Sequence, residues 1–86
     1  MNEYAQRIVL LTAEEQIVRL GQQLVDSNQR MLRTLDEGGD VQASVFAAAT
    51  LCREMAAWKR IRRQALKHLA RAALGELISL RQARVP

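Results

Sequence analysis

One cysteine, Cys52, and one histidine, His68, are all that 86 residues offer toward a disulfide framework or a metal cluster. Neither can be assembled from them. A single unpaired cysteine also argues for a reducing compartment. Proline occurs only at position 86, and the aromatics are limited to Tyr4, Phe46 and Trp58. No strand-length window alternates β-branched or aromatic residues with polar ones, which argues against a sheet. The N-terminal region carries Glu3 and short apolar runs, the longest being Ile8-Val9-Leu10-Leu11. A signal peptide needs ~7–15 apolar residues after a basic start, and a membrane span needs ~18 or more. A cytoplasmic location is therefore expected, with no membrane partner.

The strong helix formers Ala, Leu, Arg, Gln and Glu dominate the chain, so the expected fold class is all-α. The length suits one domain, and a chain of this size buries only roughly 60–65% of its unfolded surface. Such a domain needs a second copy or a partner chain to complete its core. Charge is divided unevenly. Residues 1–43 carry four arginines against seven acids, whereas residues 44–86 carry nine Lys and Arg against Glu54 and Glu76. An acidic half and a basic half can lie side by side and still leave positive charge for something outside the chain.

Thr12-Ala13-Glu14-Glu15 has the spacing of a capping box and marks a helix over about 12–36. Its apolar face reads Ile17, Leu20, Leu24, Met31 and Leu35, interrupted by Asn28. Residues 2–11 fit a helix through Tyr4, Ile8 and Leu11, either as a separate turn or as an extension of the same rod. Asp36-Glu37-Gly38-Gly39-Asp40 stops it, because glycine adopts the left-handed conformation that ends helices, and Asp40 can cap the next helix. A connection this short places the helices antiparallel. The second helix should run from Val41 to about Leu74. Its inward stripe reads Val41, Val45, Ala48, Cys52 and Met55, then Trp58, Ile61, Ala65, Leu69, Ala73, Leu77 and Leu80. Gly75 allows a kink or break before a short C-terminal helix over about 76–84.

Candidate chemistry is sparse. His68 has no neighbouring acid or nucleophile in sequence to make it a general base, so it reads as a helix-edge residue. Cys52, on the expected inward stripe, reads as a small core residue. The acids around Gly38-Gly39 lack the regular oxygen spacing of a calcium loop, and no strand or Gly-Lys-Ser/Thr makes the pair a phosphate loop. No cofactor, no metal site, no small-molecule substrate and no enzymatic activity are expected.

The strongest remaining signal is a basic face: Lys59, Arg60, Arg62, Arg63, Lys67 and Arg71, with no acid among them. Lys59, Arg63, Lys67 and Arg71 recur every four residues and form a row along a helix. Such a row can pair with the acidic first helix, with an acidic protein, or with phosphates in a salt-sensitive manner. No aromatic is interleaved for base stacking. Trp58 is a core filler or an interface anchor, and for an incomplete core the two roles coincide.

The end of the first helix reads Met31-Leu32-Arg33-Thr34-Leu35, followed by Gly38-Gly39-Asp40 and a second helix with Leu51, Glu54, Ala56 and Ile61. Over residues 28–61 this resembles the small hairpin co-chaperones of bacterial type III secretion, which help hold the needle subunit in the cytoplasm. The resemblance implies an antiparallel hairpin that pairs with a larger helical-repeat chaperone.

The expectation is therefore an α-helical hairpin, with the third helix left open, completed by self-association or by a partner chain. Its expected role is a non-catalytic adaptor or chaperone that packs Leu51, Met55, Trp58, Ile61, Ala65 and Leu69 against a client helix. The alternative is a homodimeric basic protein that binds nucleic acid through residues 59–71.

Overall fold

A computed structural model describes residues 2–84 and contains two α-helices, α1 (Glu3–Asp36) and α2 (Gln42–Ala83). They fold back on each other as an antiparallel hairpin 77 Å long, 19 Å wide and 14 Å thick.

α1 begins nine residues before the expected start at 12, so residues 3–11 extend the same rod rather than form a separate turn. Asn2 caps it, its Oδ1 accepting from the Ala5 N–H at 2.7 Å. Thr12 and Glu15 lie inside the helix. A local cap contributes only about 1 kcal/mol, and the apolar register through Leu10, Ala13 and Ile17 continues unbroken across it. Packing along a continuous face outweighs the cap.

The turn follows the glycine logic of the sequence. Gly38 takes φ +74°, and its N–H donates to the Leu35 carbonyl at 3.0 Å, while the Gly39 N–H donates to the Thr34 carbonyl at 2.8 Å. These two bonds form a Schellman closure that satisfies carbonyls otherwise orphaned at a helix end. Asp40 Oδ1 then accepts from the Gln42 N–H at 2.9 Å. α2 runs through Gly75 without a break, as one helix of 42 residues. Nothing lies within 4 Å of a Cβ added at Gly75. The glycine costs the helix about 1 kcal/mol, too little to end it.

Between the helices runs one seam. On α1 the buried residues are Gln6, Ala13, Leu20 and Ser27, seven apart, with half-buried Leu10, Ile17, Leu24 and Met31 between them. On the other side the residues turned inward are the N-cap Val41 and, within α2, Ser44, Ala48, Leu51, Met55 and Trp58, then Arg62, Ala65, Leu69 and Ala72. Both series step by three and four residues in alternation, the spacing of helices packed at a shallow left-handed crossing. The expected inward stripe is corrected at several places. Val45 is 51% exposed, Ile61 38%, Leu77 64% and Leu80 63%, and Cys52 and Ala73 are exposed as well. Leu35 of α1 is likewise exposed. Ser44, Leu51, Arg62 and Ala72 take the seam positions instead, because a seam follows strict alternating steps rather than the most apolar residue at each turn.

The resulting core is thin. Among the described residues only Ala13, Leu20 and Ala65 are fully buried apolar side chains. The hairpin exposes 6852 Å², where a compact globule of its 9.7 kDa mass exposes about 5,100 Å².

Candidate functional site

Two surfaces and one charged row are left after the seam is made. The first surface is the end of α2. Beyond Ala72 every described residue is exposed, past the level at which α1 (Glu3–Asp36) packs on α2. The projecting part, residues 73–83, extends for about 15 Å at 1.5 Å per residue. Its chemistry changes face at that point. The positions that would continue the seam are Glu76, Ser79 and Ala83, whereas Leu74, Leu77 and Ile78 sit on the opposite, outer side. Leu74, Leu77, Ile78 and Leu80 are 50–64% exposed, and with Arg81 and Arg84 they line a shallow apolar trough. The outer side of this end is thus built to meet something other than α1.

The second surface is one broad flank of the hairpin. Val9 of α1 shares a groove with Ala57, Ile61, Gln64 and His68 of α2, which identifies the positions that share one flank. The positions on the other side of each seam share the opposite flank. There α1 presents Tyr4, Leu11, Val18, Val25 and Leu32, spaced by seven residues and 50–73% exposed. α2 presents Val45, Ala49, Cys52, Ala56, Leu66 and Ala70 on the same flank. The Val9 flank is the polar one. It holds Arg19, Asp26, Arg30 and Arg33 of α1 with Glu54 and Arg71 of α2.

The predicted partner-binding residues are mostly occupied within the chain. Leu51, Met55, Trp58 and Leu69 are half-buried and Ala65 is buried in the seam against α1. Ile61 alone lies outside it, in the Val9 groove. Cys52, expected in the core, is exposed on the apolar flank. His68 is exposed at the edge of the Val9 groove. No group of three His, Cys, Asp or Glu side chains able to hold a metal ion occurs among the described residues.

The basic face is brought together only in part. Arg62 falls at a seam position and is half-buried. Arg60, Arg63 and Lys67 line a common shallow depression with Gln64, and Lys59 and Arg71 are exposed above and below it. A row stepping by four residues drifts around a helix, so Lys59 and Arg63 fall on the apolar flank and Arg71 on the polar one. Among the described residues the one ion pair is Arg7–Glu3 at 2.8 Å, within α1. The acidic helix therefore does not neutralise the basic one by direct pairing.

The sequence pattern alone did not bring out the seven-residue recurrence of Tyr4, Leu11, Val18, Val25 and Leu32. Its signal is present as strict spacing on a helix already assigned, but a single residue per heptad is diluted by the polar residues around it. The change of face after Ala72 is equally legible once the seam is phased. No helix among the described residues is long and apolar enough to cross a membrane. No family model matches this chain, and no curated protein or solved structure matches it at a significant level.

Proposed function

We propose that this chain is a non-catalytic protein-binding adaptor or chaperone that holds an amphipathic helix of a partner along the projecting end of α2. One observation carries the reading: past Ala72 the apolar residues move to the outer side of the helix, where α1 cannot reach them. Apolar side chains three and four residues apart, as at 74, 77 and 78, are the anchors by which one helix receives another. The flanking Arg81 and Arg84 favour an acidic partner helix. The more specific form is a co-chaperone of a type III secretion needle subunit, and it draws on the likeness of residues 28–61 to that family.

Co-expression with the needle subunit and the helical-repeat chaperone of a type III system tests it. The expected result is a stable complex that survives size-exclusion chromatography and is lost in Leu77→Glu/Ile78→Glu. Failure of the intact chain to form any complex with them removes the secretion form, and a complex indifferent to the double substitution removes the binding surface.

A second reading is favoured by Arg60, Lys67 and Arg71, which make no ion pair among the described residues and lie on the outer and polar sides of α2. Through them the chain would bind nucleic acid with a steep salt dependence. Arg60→Glu/Lys67→Glu/Arg71→Glu should abolish that binding, and retention of it in this variant would exclude the row as the contact.

A further inference from the structure

The apolar flank extends along nearly the whole hairpin, and its seven-residue series continue through Leu77 and Leu80 into the projecting end; the part lying beside α1 ends near Ala70. From Val45 to Ala70 it spans about 38 Å of helix at 1.5 Å per residue, across a hairpin 19 Å wide. Their product, about 700 Å², approaches the ~800 Å² per partner buried in a standard stable interface. The flank is also regular. Leu11, Val18, Val25 and Leu32 form a seven-residue series on α1, and α2 offers mostly small side chains beside it. Large residues on one helix facing small ones on the other are self-complementary when the surface meets a copy of itself turned by 180°.

Charge fixes which turn. Between Leu11 and Leu35 the flank of α1 carries one charge, Glu14, and from Val45 to Ala70 the flank of α2 carries two, Lys59 and Arg63. The remaining charge of this flank, Arg7, is tied to Glu3. Met55 lies against Gly21, and Gln6 shares a groove with Ala65 and His68. Counting one residue per residue from these contacts puts Glu14 at the level of Lys59 and Arg63. Opposite charges therefore sit at one level on the two helices of one chain, without a direct ion pair between them. A two-fold axis parallel to the hairpin lays α1 of one chain on α2 of the other at equal levels. Each Glu14 then faces the Lys59 and Arg63 of the other chain. A two-fold axis across the hairpin would lay α1 on α1 and α2 on α2 at mirrored levels, which takes Glu14 away from the Lys59 and Arg63 of the other chain.

We infer that the apolar flank is the dimer interface of this chain, closed by a second copy about a two-fold axis parallel to the hairpin, with Glu14 of each copy against Lys59 and Arg63 of the other. The product is a four-helix bundle with both projecting ends at the same end, their outer sides open. The interface lies beside α1, up to Ala70, whereas the proposed partner surface lies beyond Ala72, so either can fail alone although the two adjoin along α2.

Light scattering and sedimentation of the full chain, with circular dichroism on the same samples, test it. The intact chain should have twice the 9.7 kDa monomer mass at micromolar concentration. Glu14→Lys alone and Lys59→Glu/Arg63→Glu alone should each weaken the dimer at least tenfold. An equimolar mixture of the two variants should restore it as a heterodimer, because both contacts are again between opposite charges. A variant that loses helix by itself but recovers helix and dimer mass on mixing gives the same support. A monomeric intact chain overturns the interface, and a dimer insensitive to the charge reversals, or one not restored by mixing, overturns this arrangement. Leu77→Glu/Ile78→Glu should leave the dimer mass unchanged while losing the partner.

Discussion

The terminal methyl of Met55 lies across the seam over Gly21, 3.8 Å from where a Cβ on that glycine would stand. The distance is ordinary van der Waals contact, so the glycine is not demanded by a close approach of backbones. In a helix interior it costs about 0.5–1 kcal/mol relative to alanine. Gly21→Ala should therefore raise the thermal midpoint followed by circular dichroism. A lowered midpoint would mean that Met55 has no freedom to yield and that the seam is tighter than this contact indicates.

Gly39 is a different case. A Cβ there would stand 2.8 Å from Thr34 Cγ2 and 3.3 Å from the Thr34 carbonyl oxygen. Rotating the Thr34 side chain away would break its hydroxyl bond to the Arg30 carbonyl at 3.0 Å. Gly39→Ala should destabilise the hairpin by about 1–3 kcal/mol, as crowding of a packed site does. Thr34→Ala in that background should recover part of the loss, since the methyl clash disappears and the carbonyl contact stays. Urea titration of the two single variants and the double variant measures the coupling.

Leu20 is the largest fully buried side chain of the described residues. In so thin a core its truncation has little surrounding mass to collapse into the space. Leu20→Ala should cost about 2–5 kcal/mol, a large fraction of what a domain of this length commonly has. Gln22→Ala, two positions on and exposed, should stay within about 0.5 kcal/mol. Equal losses at the two positions by urea titration would show that α1 is held by something other than this seam.

The hairpin was legible because its signals are local. Gly38-Gly39 demands a left-handed stop, and the helix formers on either side leave no competing strand. The phase of α2 was less legible. Choosing the most apolar residue at each step drew Val45, Cys52 and Ile61 into the stripe and displaced Ser44 and Arg62. Both polar residues are half-buried in the seam: serine is short, and an arginine can cover apolar surface with its aliphatic stem. On α1 the same reasoning chose Leu35 and stumbled at Asn28, where Ser27 and Thr34 continue the register. Two apolar series on one helix confuse a search for one face. The basic face is a row in sequence, but its drift around the helix scatters it over both flanks and the outer side.

Trp58 shows what the phase decides. It is half-buried in the seam at the level of the middle of α1, so removing it empties the hairpin itself. Trp58→Ala should lower stability by about 3 kcal/mol or more, and any loss of partner binding would follow from unfolding. Leu77 and Ile78 are exposed beyond the reach of α1. Leu77→Glu/Ile78→Glu should leave the urea midpoint of the isolated chain within experimental scatter while weakening partner binding at least a hundredfold, as loss of two apolar anchors does. Binding can be followed by isothermal titration and stability by circular dichroism on the same preparations. If Trp58→Ala abolished binding at a temperature where its helicity equals that of the intact chain, the tryptophan would be a direct contact, and the client would have to enter the seam between α1 and α2. If the Leu77/Ile78 pair alone abolished it, the partner docks on the outer side of α2 and the hairpin serves as its rigid support.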